Sequence, residues 1–139
     1  MVRCGLIRWW RADRARRAVL AAMVRVQLDS GMRPGELCAM TGAAIDRSKS
    51  PWLYDPAGAN KNLHRGIVRR VWLGPTARGL LAPFLAAAGD GPVWTWPFRG
   101  AKDAARRTVV SRVEYARHVR AACARAGVDP WHPHQLRHA

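Results

Sequence analysis

The nine residues Trp131-His132-Pro133-His134-Gln135-Leu136-Arg137-His138-Ala139 decide how the rest of this 139-residue chain is interpreted. His134 and Arg137 are three residues apart, which places both side chains on one face of a helix. Pro133 precedes them, and a proline can open a helix because its missing N–H would have no partner there. An imidazole and a guanidinium at a helix start, where free N–H groups point outward, form a candidate phosphate site. The alternative is a capped helix on which a His and an Arg simply stack.

A second motif lies near the start of the chain, at Gly31-Met32-Arg33-Pro34-Gly35-Glu36-Leu37, and a hairpin-like segment containing Lys61 lies between the two. An Arg in Gly-x-Arg-x-x-Glu-Leu, then a hairpin Lys, then His-x-Leu-Arg-His is the order found in tyrosine recombinases. The chain therefore resembles the catalytic domain of this family, the phage integrases, over residues 11–139, while residues 1–10 stay unassigned. The resemblance implies site-specific recombination of duplex DNA by phosphodiester cleavage and rejoining, without a metal or nucleotide cofactor.

The resemblance gives a catalytic role to each matching residue. Arg33 and Arg137 would bind the reacting phosphate from opposite sides, where positive donors stabilise the charge that builds on its equatorial oxygens. Lys61 would protonate the departing 5′ oxygen, and His134 would hydrogen-bond the same phosphate and assist proton transfer. From the residues alone, an arginine on a basic surface and a solvated loop lysine are the alternatives for Arg33 and Lys61.

Three further residues receive supporting roles. Glu36 would pair with Arg33 or orient it, although stabilisation of a helix N-terminus explains this carboxylate too. His138 is the next residue of the second motif and is interpreted as structural. Arg65 is a predicted DNA contact in the hairpin. Because hairpin loops vary in length, Arg65 or His64 is the alternative to the hairpin lysine beside the leaving group.

In the family, the nucleophile is a tyrosine that follows the second motif, and no tyrosine of this chain is in that position. Tyr54 and Tyr115 both precede the motif, and their contexts, a strand and a helix, predict packing roles. The sequence is therefore interpreted as a catalytic domain truncated before its nucleophile and inactive alone, so its status as an enzyme stays open. The alternative is a non-catalytic DNA-binding remnant that occupies sites or contacts a complete recombinase protomer.

The composition agrees with a nucleic-acid partner. The net charge is +15, and all but three of the 24 basic residues are Arg, which suits bidentate phosphate contacts. A basic RNA-binding protein would explain the charge but not the ordered motifs. The chain has no run of about 18 apolar residues, no apolar signal core, and no cysteine or histidine spacing typical of zinc sites. These features predict a cytoplasmic protein without a membrane partner or a metal.

The hydrophobic pattern predicts an α+β fold that is mainly α, with a small antiparallel hairpin. The predicted elements are helices at 11–28, from Pro34, at 76–88 and at 109–126, paired strands at 51–56 and 67–73, an extended segment at 93–97 and a basic loop at 98–107. Pro83 is expected to kink its helix or to end the first segment of it. The last helix is expected to bury Val109, Val113, Ala116 and Cys123.

Overall fold

In the computed structural model, residues 2–56, 66, 68–98 and 106–138 are described, with side chains from residue 12 onward. Lys61 and Arg65, the two predicted DNA contacts of the hairpin, lie outside the described residues. The fold is α+β and mainly α, as predicted. The described elements, in chain order, are α1 Val2–Ser30, α2 Pro34–Cys38, a 3-10 helix Gly42–Ala44, β1 Ile45–Asp46, β2 Trp52–Tyr54, β3 Val71–Leu73, α3 Pro75–Ala88, β4 Thr95–Pro97, β5 Arg107–Val109, α4 Arg112–Ala126 and a C-terminal 3-10 helix Pro133–Arg137.

The long helix α1 contacts most of the other elements, including α3, β4 and the C-terminal 3-10 helix. Met23 and Val26 lie on its apolar stripe and are fully buried, as predicted. The helix begins at residue 2 rather than at residue 11. It ends where Gly31 adopts a left-handed φ of +63° and donates its N–H to the Gln27 carbonyl at 2.9 Å. This turn fixes the direction of the chain just before Arg33.

A three-stranded antiparallel sheet packs beside the helices in the order β1-β2-β3. Trp52 lies opposite Leu73 and Tyr54 opposite Val71, so the predicted pairing of β2 with β3 is confirmed. The sequence did not predict β1, because a two-residue strand is too short to show an alternating pattern. β4 and β5 form a separate antiparallel pair. Arg107, assigned to the predicted basic loop, is the first residue of β5, and residues 99–105 of that predicted loop lie outside the described residues.

The start of α4 corrects the prediction for the last long helix. The helix begins at Arg112. Its N-cap residue is Ser111, whose side chain accepts a hydrogen bond from the Glu114 N–H at 3.1 Å. Val109 lies in β5 and is 46% exposed, and Val113 is 74% exposed, so both inward assignments are wrong. The Ser-x-x-Glu capping box stabilises the helix start at Arg112. The buried residues of α4 are Tyr115, Val119 and Cys123.

Helix α3 continues through Pro83, so the interpretation that this proline ends a helical segment is wrong. Pro83 removes the helical partner of the Gly79 carbonyl, but both residues are exposed and water can replace the missing bond. On the opposite side, Leu81 and Leu85 are buried. Leu80 and Phe84, also predicted to be buried, are half-buried and pack against the core.

Gly42 occupies a position at which a side chain is excluded. Its N–H donates to the Gly91 carbonyl at 2.9 Å, and a Cβ built on it would overlap the backbone carbonyl of Gly89. We expect Gly42→Ala to lower the free energy of unfolding by about 1–3 kcal/mol, because backbone must shift to admit the methyl group. The control Gly79→Ala lies in a helix interior, where the added Cβ would meet no atom within 4 Å beyond its chain neighbours and the backbone of its own helix, and it is expected to raise the free energy of unfolding by about 0.5–1 kcal/mol. Urea denaturation measures both, and a Gly42→Ala protein as stable as the wild type would contradict the prediction.

Candidate functional site

An open cleft of about 1010 Å³ lies between the Arg33 motif, the end of β5, helix α4 and the start of the C-terminal 3-10 helix. Its apolar lining includes Cys38, Val110 and Ala116. Among the described residues that line the cleft, Glu36 is the only acidic one. The basic lining residues are Arg33, Arg112, Arg117, Arg120, His132 and His134. Such an excess of positive side chains favours an anionic ligand.

Pro34 sets the backbone conformation of Arg33, the residue that precedes it. A proline disfavours helical backbone in the preceding residue, and Arg33 is extended, with φ −72° and ψ 149°, directly before Pro34 begins α2. The Glu36 carboxylate accepts a hydrogen bond from the Arg33 backbone N–H at 2.8 Å and another from Arg33 Nη1 at 2.9 Å. Glu36 therefore both stabilises the start of the helix and holds the guanidinium. The structure thus contains both of the contacts that the sequence left open as alternatives.

Glu36 has a further cationic neighbour, which no motif of the sequence indicates. Arg69 Nε lies 2.6 Å from Glu36 Oε1, and the glutamate side chain is fully buried. The Tyr54 hydroxyl donates to the Glu36 backbone carbonyl at 2.7 Å, which ties α2 to β2. The only sequence feature near Arg69 is the Arg69-Arg70 pair directly before strand β3. No local pattern predicts that Arg69 contacts Glu36, which lies far away in the sequence.

His134 and Arg137 lie on the C-terminal 3-10 helix, where the sequence predicted a helix start. Pro133 occupies its first turn, and His132 Nδ1 accepts a hydrogen bond from the His134 N–H at 3.2 Å. A 3-10 helix has three residues per turn, so His134 and Arg137 share one face. His134 is exposed and lines the cleft; Arg137 is half-buried and is not among the described residues that line it. The His138 ring packs edge-on against His134, with 5.9 Å between ring centroids.

A buried glutamine joins the two motifs. Gln27 Nε2 donates to the Pro133 carbonyl at 2.8 Å and to the Met32 carbonyl at 3.2 Å, and Gln27 Oε1 accepts from the Tyr115 hydroxyl at 2.8 Å. Met32 directly precedes Arg33, and Pro133 directly precedes His134, so one amide fixes the backbone ahead of both. The sequence motifs do not include this residue. The only sequence feature that could have indicated its role is its position four residues after Met23, which places a polar side chain on the buried stripe of α1.

Neither tyrosine of the chain lines the cleft. Tyr54 and Tyr115 are almost fully buried, as their predicted packing roles require. Burial raises the pKa of both phenols above their ordinary value, so each stays protonated to a higher pH than an exposed tyrosine does. Burial also raises the pKa of the Cys38 thiol, which lines the cleft, to about 12. A neutral thiol is a poor nucleophile, so we do not expect Cys38 to take the role of the family's tyrosine.

Within the part of the chain that the structure describes, no group of three or more metal-binding side chains occurs, and no helix is long and apolar enough to span a membrane. Of the four predicted catalytic residues, Arg33 and His134 are brought to one cleft, and Arg137 shares the helix face of His134. Lys61 lies outside the described residues.

Comparison with models of protein families gives a match to the phage integrase family over residues 11–139. Comparisons with curated proteins and with solved structures gave no match. The matched range includes both motifs, the hairpin between them and the whole cleft.

Proposed function

Because this chain belongs to the phage integrase family, whose members act in site-specific DNA recombination, we propose that it binds a phosphate of duplex DNA in the cleft at Arg33. One observation carries the proposal. Arg33 and His134 come from motifs at opposite ends of the sequence, yet both line the same basic cleft. A phosphodiester is the ligand that such a set of guanidinium and imidazole donors suits best.

The proposed chemistry is the phosphodiester cleavage and rejoining of the family, in which a tyrosine oxygen would attack phosphorus, the bond from phosphorus to the 5′ oxygen would break, and the reverse step would rejoin the strand. Neither Tyr54 nor Tyr115 lines the cleft, so this chain would supply the phosphate-binding residues and is expected to be inactive alone.

Arg33 and Arg137 would neutralise the charge that develops on the equatorial oxygens of the phosphorane, and His134 would donate a hydrogen bond to it. Lys61 would protonate the leaving 5′ oxygen. Glu36 supports this arrangement because it fixes the Arg33 guanidinium from the buried side, which leaves the other nitrogens of that group for the phosphate.

The wider surface would add contacts that do not depend on sequence. Arg112, Arg117 and Arg120 project from α4 along the cleft and are exposed, and the net charge of the chain is +15. Contacts from arginine to phosphate position a protein on DNA but do not read its bases. The expected affinity is therefore roughly micromolar or weaker at physiological salt, as for non-specific binders.

The test is the fluorescence anisotropy of a labelled DNA duplex, titrated with the protein at several salt concentrations. The logarithm of the association constant is expected to fall linearly with the logarithm of salt, by about 0.9 per phosphate neutralised. A scrambled duplex should bind almost equally. Affinity that does not change with salt would contradict the proposal, and clearly tighter binding to an RNA duplex would favour an RNA-binding protein instead.

A second candidate function is DNA binding without catalysis. Its support is the burial of both tyrosines, whose hydroxyls already donate to Glu36 and Gln27 within the core. The two candidates predict the same DNA affinity and differ only in covalent chemistry, which a nicked duplex that traps covalent intermediates would detect.

A further inference from the structure

Two guanidiniums meet at one carboxylate oxygen of Glu36, which lines the cleft together with Arg33, whereas Arg69 is not among the described residues that line it. Arg33 Nη1 lies 2.9 Å and Arg69 Nε 2.6 Å from Glu36 Oε1. The glutamate side chain is fully buried, whereas the side chains of Arg33 and Arg69 are 27% and 25% exposed. The carboxylate is therefore covered, and both cations reach solvent.

The charges of this cluster do not balance. One carboxylate neutralises one guanidinium, so Arg33, Arg69 and Glu36 together keep a positive charge in a partly buried place. Arg69 approaches Glu36 as an ion pair, because its Nε–H is not aligned for a hydrogen bond. Among the described residues, neither Nη nitrogen of Arg69 has a hydrogen-bond partner. Glu36 thus holds the Nε side of the Arg69 guanidinium, and its two Nη nitrogens can donate hydrogen bonds to a ligand.

We propose that Arg69 is a phosphate-binding residue, which contacts the DNA backbone beside Arg33 while Glu36 anchors both guanidiniums. The inference rests on the proposed function, because it names a further contact of the same site. A guanidinium suits both roles, because its planar fork can pair with a carboxylate through one nitrogen and with a phosphate through the others. A residue that only oriented Arg33 would contribute no phosphate contact of its own.

The salt dependence of duplex binding separates a phosphate contact from a positioning role. Arg69→Gln is compared with the wild type and with Arg70→Gln, which removes the same charge one residue further along the chain. Arg70 is exposed and lines a different cavity, with Asp46 and Asp55. We expect Arg69→Gln to reduce the salt slope by about 1, as for the loss of one phosphate contact, and Arg70→Gln to keep the slope of the wild type.

Arg69→Lys supplies the second variant, and circular dichroism with thermal unfolding checks that each variant is folded. A lysine keeps the charge but not the fork, so we expect the wild-type salt slope with reduced affinity. Glu36 keeps its bonds to Arg33 in every variant, so each is expected to fold.

Three results would overturn the inference. Arg69→Gln could lower the affinity and leave the slope unchanged, which is the behaviour of a positioning residue. Arg69→Gln and Arg70→Gln could reduce the slope equally, which is the effect of net charge alone. Arg69→Lys could lose the slope as Arg69→Gln does. If instead the wild type shows no salt-dependent binding at all, the proposed function fails and this inference with it, a result distinct from the other three.

Discussion

Replacing Gln27 with Leu is expected to lower the free energy of unfolding by about 4 kcal/mol, because three buried groups lose a hydrogen-bond partner at about 1–3 kcal/mol each. These groups are the Tyr115 hydroxyl and the carbonyls of Met32 and Pro133. Leu has a volume similar to that of Gln, so the loss measures the missing bonds rather than a cavity. Urea denaturation gives the value from the transition midpoint, provided that the slope of the transition is unchanged.

Tyr115→Phe is the matched control for this prediction. It removes one of the three bonds to Gln27 and leaves both bonds from the Gln27 amide nitrogen in place. The expected loss is about 1 kcal/mol. If the two variants lower the free energy of unfolding by the same amount, the bonds from Gln27 to the Met32 and Pro133 carbonyls contribute no measurable stability, and Gln27 does not hold the two motifs together.

The ends of several elements could be predicted because their signals are local. Gly31 adopts the left-handed conformation that ends α1, and Gly127, with φ +66°, ends α4. The start of α4 has two competing local signals. The valine spacing around Val113 favours an earlier start, whereas Ser111 and Glu114 form a capping box. The hydrogen bonds of the cap satisfy backbone donors that would otherwise be unpaired, and they outweigh the valine spacing.

The candidate site was only partly predictable, for a different reason. Arg33 and His134 were identified because each lies in a short motif, and the structure brings them to one cleft. The residues that hold the site have no such motif. Gln27 and Pro133 are 106 positions apart, and Arg69 reaches Glu36 from another element. Contacts of this kind depend on how the elements pack, which no periodicity in a single segment can reveal.

The 139-residue chain on its own is expected to form no covalent link to DNA. A phosphate clamp accelerates strand transfer only when an attacking oxygen is held in line with the leaving oxygen. The hydroxyls of Tyr54 and Tyr115 donate to partners within the core, at 2.7 and 2.8 Å, and neither residue lines the cleft. Burial raises the pKa of each phenol, so a moderate increase in pH does not supply a phenolate either.

A nicked suicide duplex tests this expectation, since it traps any covalent intermediate as a protease-sensitive band of reduced mobility in a denaturing gel. The comparison is the same chain extended by a tyrosine-bearing tail from a related recombinase. An adduct with the unextended chain would contradict the prediction, and the variants Tyr54→Phe and Tyr115→Phe would then identify the attacking residue. An adduct with the extended chain alone would mean that the cleft can hold a phosphate for attack and that only the nucleophile must be supplied. If neither chain reacts while both bind duplex DNA, the clamp at Arg33 lacks catalytic geometry, and DNA binding without catalysis becomes the better account of this cleft.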